Sequence, residues 1–169
     1  MSASVVTIDC LYFWPRNTAA YLLRELDRAA FVDNNTARAV PLLLENLAAE
    51  GLRPEQVDYA IVTHAHLDHA AGSRALLDAC PNAMLLAHPR AAGHLIDPSR
   101  LVASARKVYG DKVFDELYGS VAGVPADRVR AMADGEVLRW GGRELTFLHT
   151  RGHANHHLCV LDPTSEGIF

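Results

Sequence analysis

The chain has 169 residues, half of them apolar, and a formal net charge of −4. That length suits one domain with a substantial core of the globular class, and the mild negative balance argues against nucleic acid or an anionic membrane as a partner. No apolar run approaches the roughly 18 residues of a membrane span, and three scattered cysteines (Cys10, Cys80, Cys159) suggest neither a disulfide framework nor a thiolate metal site.

Taken in order, residues 5–11, 19–23 and 29–32 read as three strands. A charged turn at 24–28 and a polar stop at Asp33-Asn34-Asn35 complete a meander. Thr36 is placed to cap the next element, a helix on which Leu42, Leu43, Leu47 and Leu52 recur at near-helical spacing. Pro41 belongs to its first turn and Gly51 is its stop. Pro54 and Asp58 lead into a strand that ends at Val62. A helix followed by a strand, after a meander, predicts a mixed sheet covered by helices.

Thr63-His64-Ala65-His66-Leu67-Asp68-His69 follows at once. Three imidazoles and a carboxylate this close are a poor way to build a core, because each buried polar group needs a partner. They suit a cation, since neutral imidazole and carboxylate oxygen are what Zn, Fe or Mn accept. The His-x-His alternation lets two imidazoles converge from an extended segment, and Asp68 and His69, at the start of a helix, can face a second position.

Gly72 and Ser73 open a helix carrying Leu76 and Leu77, and residues 83–87 form a short buried strand. His88-Pro89 breaks it, and 89–96 forms a helical turn. Pro98 starts a helix with Leu101, Val102, Ala105 and Val108 on one face. Gly110 interrupts it, and Val113, Phe114, Leu117 and Tyr118 continue the pattern. This 89–119 segment reads equally as a pocket wall, as packing or as a dimer surface, and Tyr109 and Tyr118 are assigned to helix packing. Strands then return at 129–132, 136–140 and 144–149, with Gly141-Gly142 as a hairpin turn. After a second His-rich loop, 149–157, come a strand at 157–161, a turn at 162–166 and the start of a strand at 167–169.

The second loop holds His149, His153, His156 and His157. Two ligand-rich loops at strand ends can meet at one edge of a sheet and supply a metal from separated segments. At this point the sequence resembles a known family. Residues 63–72, Thr-His-Ala-His-Leu-Asp-His-Ala-Ala-Gly, look like the signature of the metallo-β-lactamase fold superfamily, and His149-Thr150-Arg151-Gly152-His153 resembles its next motif, commonly Thr-Pro-Gly-His, with Arg151 in place of proline. The pairing of motifs is most similar to hydroxyacylglutathione hydrolases (glyoxalase II).

The resemblance implies an α/β, αββα sandwich with a metal site at one edge of the paired sheets. His64, His66 and His153 would ligate a first ion, and Asp68 and His69 would contribute to a second, with zinc expected and Fe or Mn as alternatives. It implies metal-assisted hydrolysis of an ester, thioester or similar acyl bond in a small-molecule substrate, with Asp68 orienting the attacking water or acting as base. His149 and His157 are expected to be orienting or structural, His156 solvated or structural, and His88 and His94 isolated. The family's next motif, a Gly-Asp pair and a final histidine, has no counterpart, so the chain is expected to be one N-terminal portion of a longer domain. Competing expectations are a mononuclear-iron redox enzyme of the persulfide dioxygenase kind, a phosphodiesterase-type member of the fold, or an inactive metal-binding fragment. A homo-oligomer and a cytoplasmic location complete the reading.

Overall fold

Three strands, β1 (Ser4–Asp9), β2 (Ala19–Glu25) and β3 (Arg28–Val32), run antiparallel as the sequence predicts, in a computed structural model that describes residues 4–169. Their turn is tighter than expected: Glu25 pairs with Arg28, and Leu26 takes a positive φ of 55°. Three further strands, β4 (Val57–Val62), β5 (Met84–Ala87) and β6 (Val129–Ala131), add in parallel to give a six-stranded sheet in the order β1 to β6.

The parallel steps require crossovers, and these are helical. Helix α1 (Val40–Ala49) joins β3 to β4; α2 (Leu67–Ala70) and α3 (Ser73–Ala79) join β4 to β5; α4 (Pro89–Ile96), α5 (Ser99–Tyr109) and α6 (Asp111–Leu117) join β5 to β6. Leu43, Leu47, Leu76 and Leu77 from these helices pack with Leu22, Phe31 and Leu85 on one face of the sheet. The other face carries Leu23, Ala30, Val32, Ile61 and Leu86. Burial of both faces explains why the strands read as unbroken apolar runs rather than alternating ones.

Against that second face lies a four-stranded antiparallel sheet in the order β10 (Gly167–Ile168), β9 (Leu158–Asp162), β8 (Arg143–His149), β7 (Glu136–Trp140). Leu145, Phe147, Leu158 and Val160 fill the space between the sheets. The layers are therefore helix, sheet, sheet, the first three of the expected αββα order. Among the described residues no α-helix follows β7. No helix there is long and apolar enough to cross a membrane.

Three local expectations need correction. Thr36 does not cap α1, whose N-cap is Ala39 without a side-chain bond; the Thr36 carbonyl instead closes a turn with the Ala39 N–H. Asp33-Asn34-Asn35 is not a solvent turn but is buried, because the end of β3 lies beside the His-rich loop that leaves β4. The amide N–H groups of Asn34 and Asn35 both donate to the His69 carbonyl. Val108 is not on a buried stripe: it is 76% exposed, since no layer covers that side of α5.

Candidate metal centre

The parallel strands β3 and β4 end side by side, and open sheets of this kind build their sites beyond carboxyl-terminal strand ends. His64 and His66 leave β4 in an extended segment, and His66, with φ −65° and ψ 143°, is the residue before α2. His69 sits in the last turn of α2, and His153 comes from the loop between β8 and β9. The two loops are stitched together by the Leu158 N–H, which donates to the Thr63 carbonyl at 2.8 Å. Gly72 allows α2 and α3 to come close to the 34–36 loop: a Cβ there would stand 2.8 Å from the Thr36 carbonyl oxygen and 2.9 Å from that of Asn34.

One ligand atom each from His64, His66 and His153 lies within 4.8 Å of the others, so these three side chains can hold a metal ion. His66 Nδ1 and His153 Nε2 are 3.0 Å apart. His64 is only 3% exposed, and its Nε2 makes no hydrogen bond. A buried nitrogen left without a partner is costly, and a cation in contact with it removes that cost. Burial, reinforced by the surrounding histidines, drives the His64 pKa down to about 2, and burial lowers that of His66 too. Neutral imidazole is the form that ligates a metal.

Asp33 orients this centre, a role its sequence context did not signal. Its Oδ1 accepts the Thr63 N–H at 2.9 Å, and the Thr63 hydroxyl lies 2.9–3.0 Å from both carboxylate oxygens. A carboxylate only accepts, so that hydroxyl donates to Asp33 and its oxygen is left to accept from His64 Nδ1, 3.0 Å away. The proton is thereby assigned to Nδ1, and the lone pair falls on the unpartnered Nε2. Asp33 Oδ2 also lies 2.7 Å from His69 Nδ1. Burial opposes the charged form of His69, but the hydrogen bond and charge of Asp33 outweigh it, so its pKa is raised. The signal available in the sequence was a carboxylate directly at the end of an apolar strand; what was missing was which strand lay next to it.

Asp68 and His69 are not part of the compact triad. They stand beside it: the His69 ring centroid is 4.2 Å from that of His64, and His69 Nε2 is 3.6 Å from Asp68 Oδ2. Both line a polar cavity of about 470 Å³ together with Asp33, Thr63, His64 and His157. His157 lies near the centre, its ring 5.1 Å from His64, and its Nδ1 is 2.7 Å from the Thr150 hydroxyl. His156 is closer in than a solvated residue would be. Its Nδ1 accepts from the Ala65 N–H at 3.3 Å, and its ring is 5.6 Å from that of His66. His149 packs instead against His88, ring centroids 4.0 Å apart, with its Nε2 2.9 Å from the Met132 carbonyl oxygen. Neither His88 nor His94 is isolated, since His94 lies 6.0 Å from His156.

A sequence profile of the metallo-beta-lactamase superfamily matches residues 8–169. A hydroxyacylglutathione hydrolase of Aeromonas hydrophila is 29% identical over 139 residues, covering 82% of this chain and 40% of that protein. A metallo-beta-lactamase fold-containing protein of Sulfurisphaera tokodaii is 31% identical over 111 residues, 63% of this chain and 41% of that one. Among solved structures, a subclass B3 metallo-beta-lactamase from a soil metagenome library superposes with a TM-score of 0.72 at 23% identity, covering 95% of this chain and 55% of that one. The chain thus spans about two fifths of the length of these curated relatives.

Proposed function

The chain belongs to the metallo-beta-lactamase superfamily, and from that premise we propose that it carries the metal-binding half of a hydrolase acting on an ester, thioester or similar acyl bond. The observation that carries this reading is the unpartnered, buried Nε2 of His64, set among two further imidazoles and beside a half-exposed carboxylate. His64, His66 and His153 would hold one divalent ion, with zinc the best match to an all-imidazole set. Asp68 and His69 would contribute to a second.

The chemistry such an ion supplies is a lowered pKa for water and polarisation of the substrate carbonyl. The chain's own residues do the rest. Asp33 and Thr63 hold His64 with its lone pair facing inward, and Asp33 holds His69. Asp68, which lines the polar cavity, would orient the attacking water, or accept its proton where a single ion is bound. The likeness to the Aeromonas hydroxyacylglutathione hydrolase supports a thioester among the candidate substrates.

Metal analysis of the purified chain, with His66→Ala and His153→Ala beside it, tests the ligand set. Each variant is expected to lose the ion from the triad. Unchanged metal content in either would overturn the assignment. Hydrolysis of a thioester such as S-lactoylglutathione by the zinc-loaded protein is expected; one bound iron with oxygen uptake and no hydrolysis would replace the reading with a redox one.

A further inference from the structure

A second cavity, of about 330 Å³, shares Asp68 with the polar one. Its walls differ sharply: Leu67, Leu101, Ala105, Val108, Tyr109 and Tyr118 supply most of the lining, and Ala65, His66, Asp68 and Ser104 complete it. Leu67 and Tyr118 are buried at its floor, packed with Tyr12, Ala71 and Phe114. The rings of Tyr12 and Tyr109 stand 6.2 and 6.1 Å from that of Tyr118, which fixes the floor in place. Val108 and Tyr109 form an exposed apolar rim. Adjacent apolar side chains left facing water beside a set of ligand residues mark a binding surface.

Resting on the hydrolase reading, we infer that this cavity receives the apolar chain of the substrate's acyl group, and that α5 with Tyr118 sets acyl-chain specificity. The two cavities meet at Asp68, so a substrate whose carbonyl lies at the triad extends into both. A departing alcohol or thiol leaves with a proton and suits the polar side, where Asp68, His69 and His157 line the wall. The acyl chain needs no polar partner and suits the other side. Each methylene buried there strengthens binding by about fourfold, from roughly 0.8 kcal/mol per methylene.

The test measures binding of the product-like carboxylates butanoate, hexanoate and octanoate to the 169-residue chain by calorimetry, metal-free and zinc-loaded. Affinity is expected to rise about fourfold per methylene up to the length the cavity holds. Val108→Asp, on an exposed position that leaves the fold intact by circular dichroism, should flatten that dependence, and Ala105→Trp, which fills the cavity, should do the same. Equal affinity for all three acids, absence of binding, or an unchanged slope in both variants would overturn the inference. So would sedimentation showing that Val108→Asp dissociates a dimer while the slope stays, which would make the rim an interface. None of these results depends on turnover, so the acyl-pocket inference can fail while thioester hydrolysis stands.

Discussion

Asp33 fixes two imidazoles at once, and its replacement separates geometry from charge. Asparagine keeps the shape, but its NH₂ must face either the Thr63 hydroxyl or His69 Nδ1, reversing one donor relationship. Asp33→Asn is therefore expected to lower the unfolding free energy by about 1–3 kcal/mol and zinc affinity by roughly 10- to 100-fold, read by urea denaturation and chelator competition. Wild-type zinc affinity in this variant would show that Asp33 does not set the His64 tautomer. The pH dependence has a definite sign. The His69 pKa is raised in the folded chain, so its pairing with Asp33 contributes fully below the unfolded value, about 6.5, and is lost as pH rises through the folded one. In chelator, Asp33→Asn should therefore cost more stability at pH 6 than at pH 9. Cysteine chemistry gives an independent check on packing. Burial pushes the Cys10 and Cys80 thiols up to about 11, whereas Cys159 is only half-buried. Iodoacetamide should label Cys159 in the native chain and the other two only after unfolding; native labelling of Cys80 would show that the α3–β5 packing is wrong. The histidine cluster was legible because three imidazoles in six residues have few other uses. Asp33 was not, because its meaning depends on the parallel pairing of β3 with β4, a contact 30 residues distant in sequence between Asp33 and Thr63.

At the scale of elements, apolar periodicity located α1, α3, α5 and α6, and glycines and prolines marked most of their ends. Gly110, at φ +76°, separates α5 from α6 where the sequence placed the break. Periodicity does not say what covers a stripe: Val108 shares a face with Leu101, Val102 and Ala105, yet it is left facing water. The same limit hid the close approach at Gly72, where α3 begins against the carbonyls of Asn34 and Thr36. Both of those atoms are backbone and cannot swing aside. Gly72→Ala must therefore push α2 and α3 away from the 34–36 loop, disturbing the hydrogen bonds from Asn34, Asn35 and Gly72 that hold His69 in place. A loss of about 1–3 kcal/mol is expected by urea denaturation, with weaker zinc binding. A neutral result would mean that the loop yields without cost and that the ligand helix is not held by this contact.

For the whole molecule, the central fact is that the triad is divided between two sheets: His64 and His66 belong to the first and His153 to a loop of the second. Whatever keeps the sheets together keeps the site together. Besides the apolar layer between them, the exposed pair of Arg130 on β6 with Glu136 on β7 and a buried guanidinium span the join. Arg143, 1% exposed on β8, pairs with Asp162 on β9 and lies 3.5 Å from Glu25 of β2, and it also donates to the carbonyls of Ser4 and Arg24. Removing Asp162 leaves that charge buried and short of partners, a change that typically costs about 3–5 kcal/mol out of a total of roughly 5–15. Asp162→Ala should therefore be severely destabilised, and the paired replacement Arg143→Met with Asp162→Leu should recover only part of the loss, because it removes the central pair of charges but leaves the buried Glu25 without the guanidinium 3.5 Å away. Zinc links this clamp to the site. An ion that binds only the folded chain adds about 2.7 kcal/mol at a hundredfold excess over Kd. Zinc is then expected to raise the urea midpoint of the wild type and of the double variant, and to leave that of His153→Ala unchanged. A midpoint that rises equally in His153→Ala would place the ion on the first sheet alone and dissolve the connection between the clamp and the metal centre.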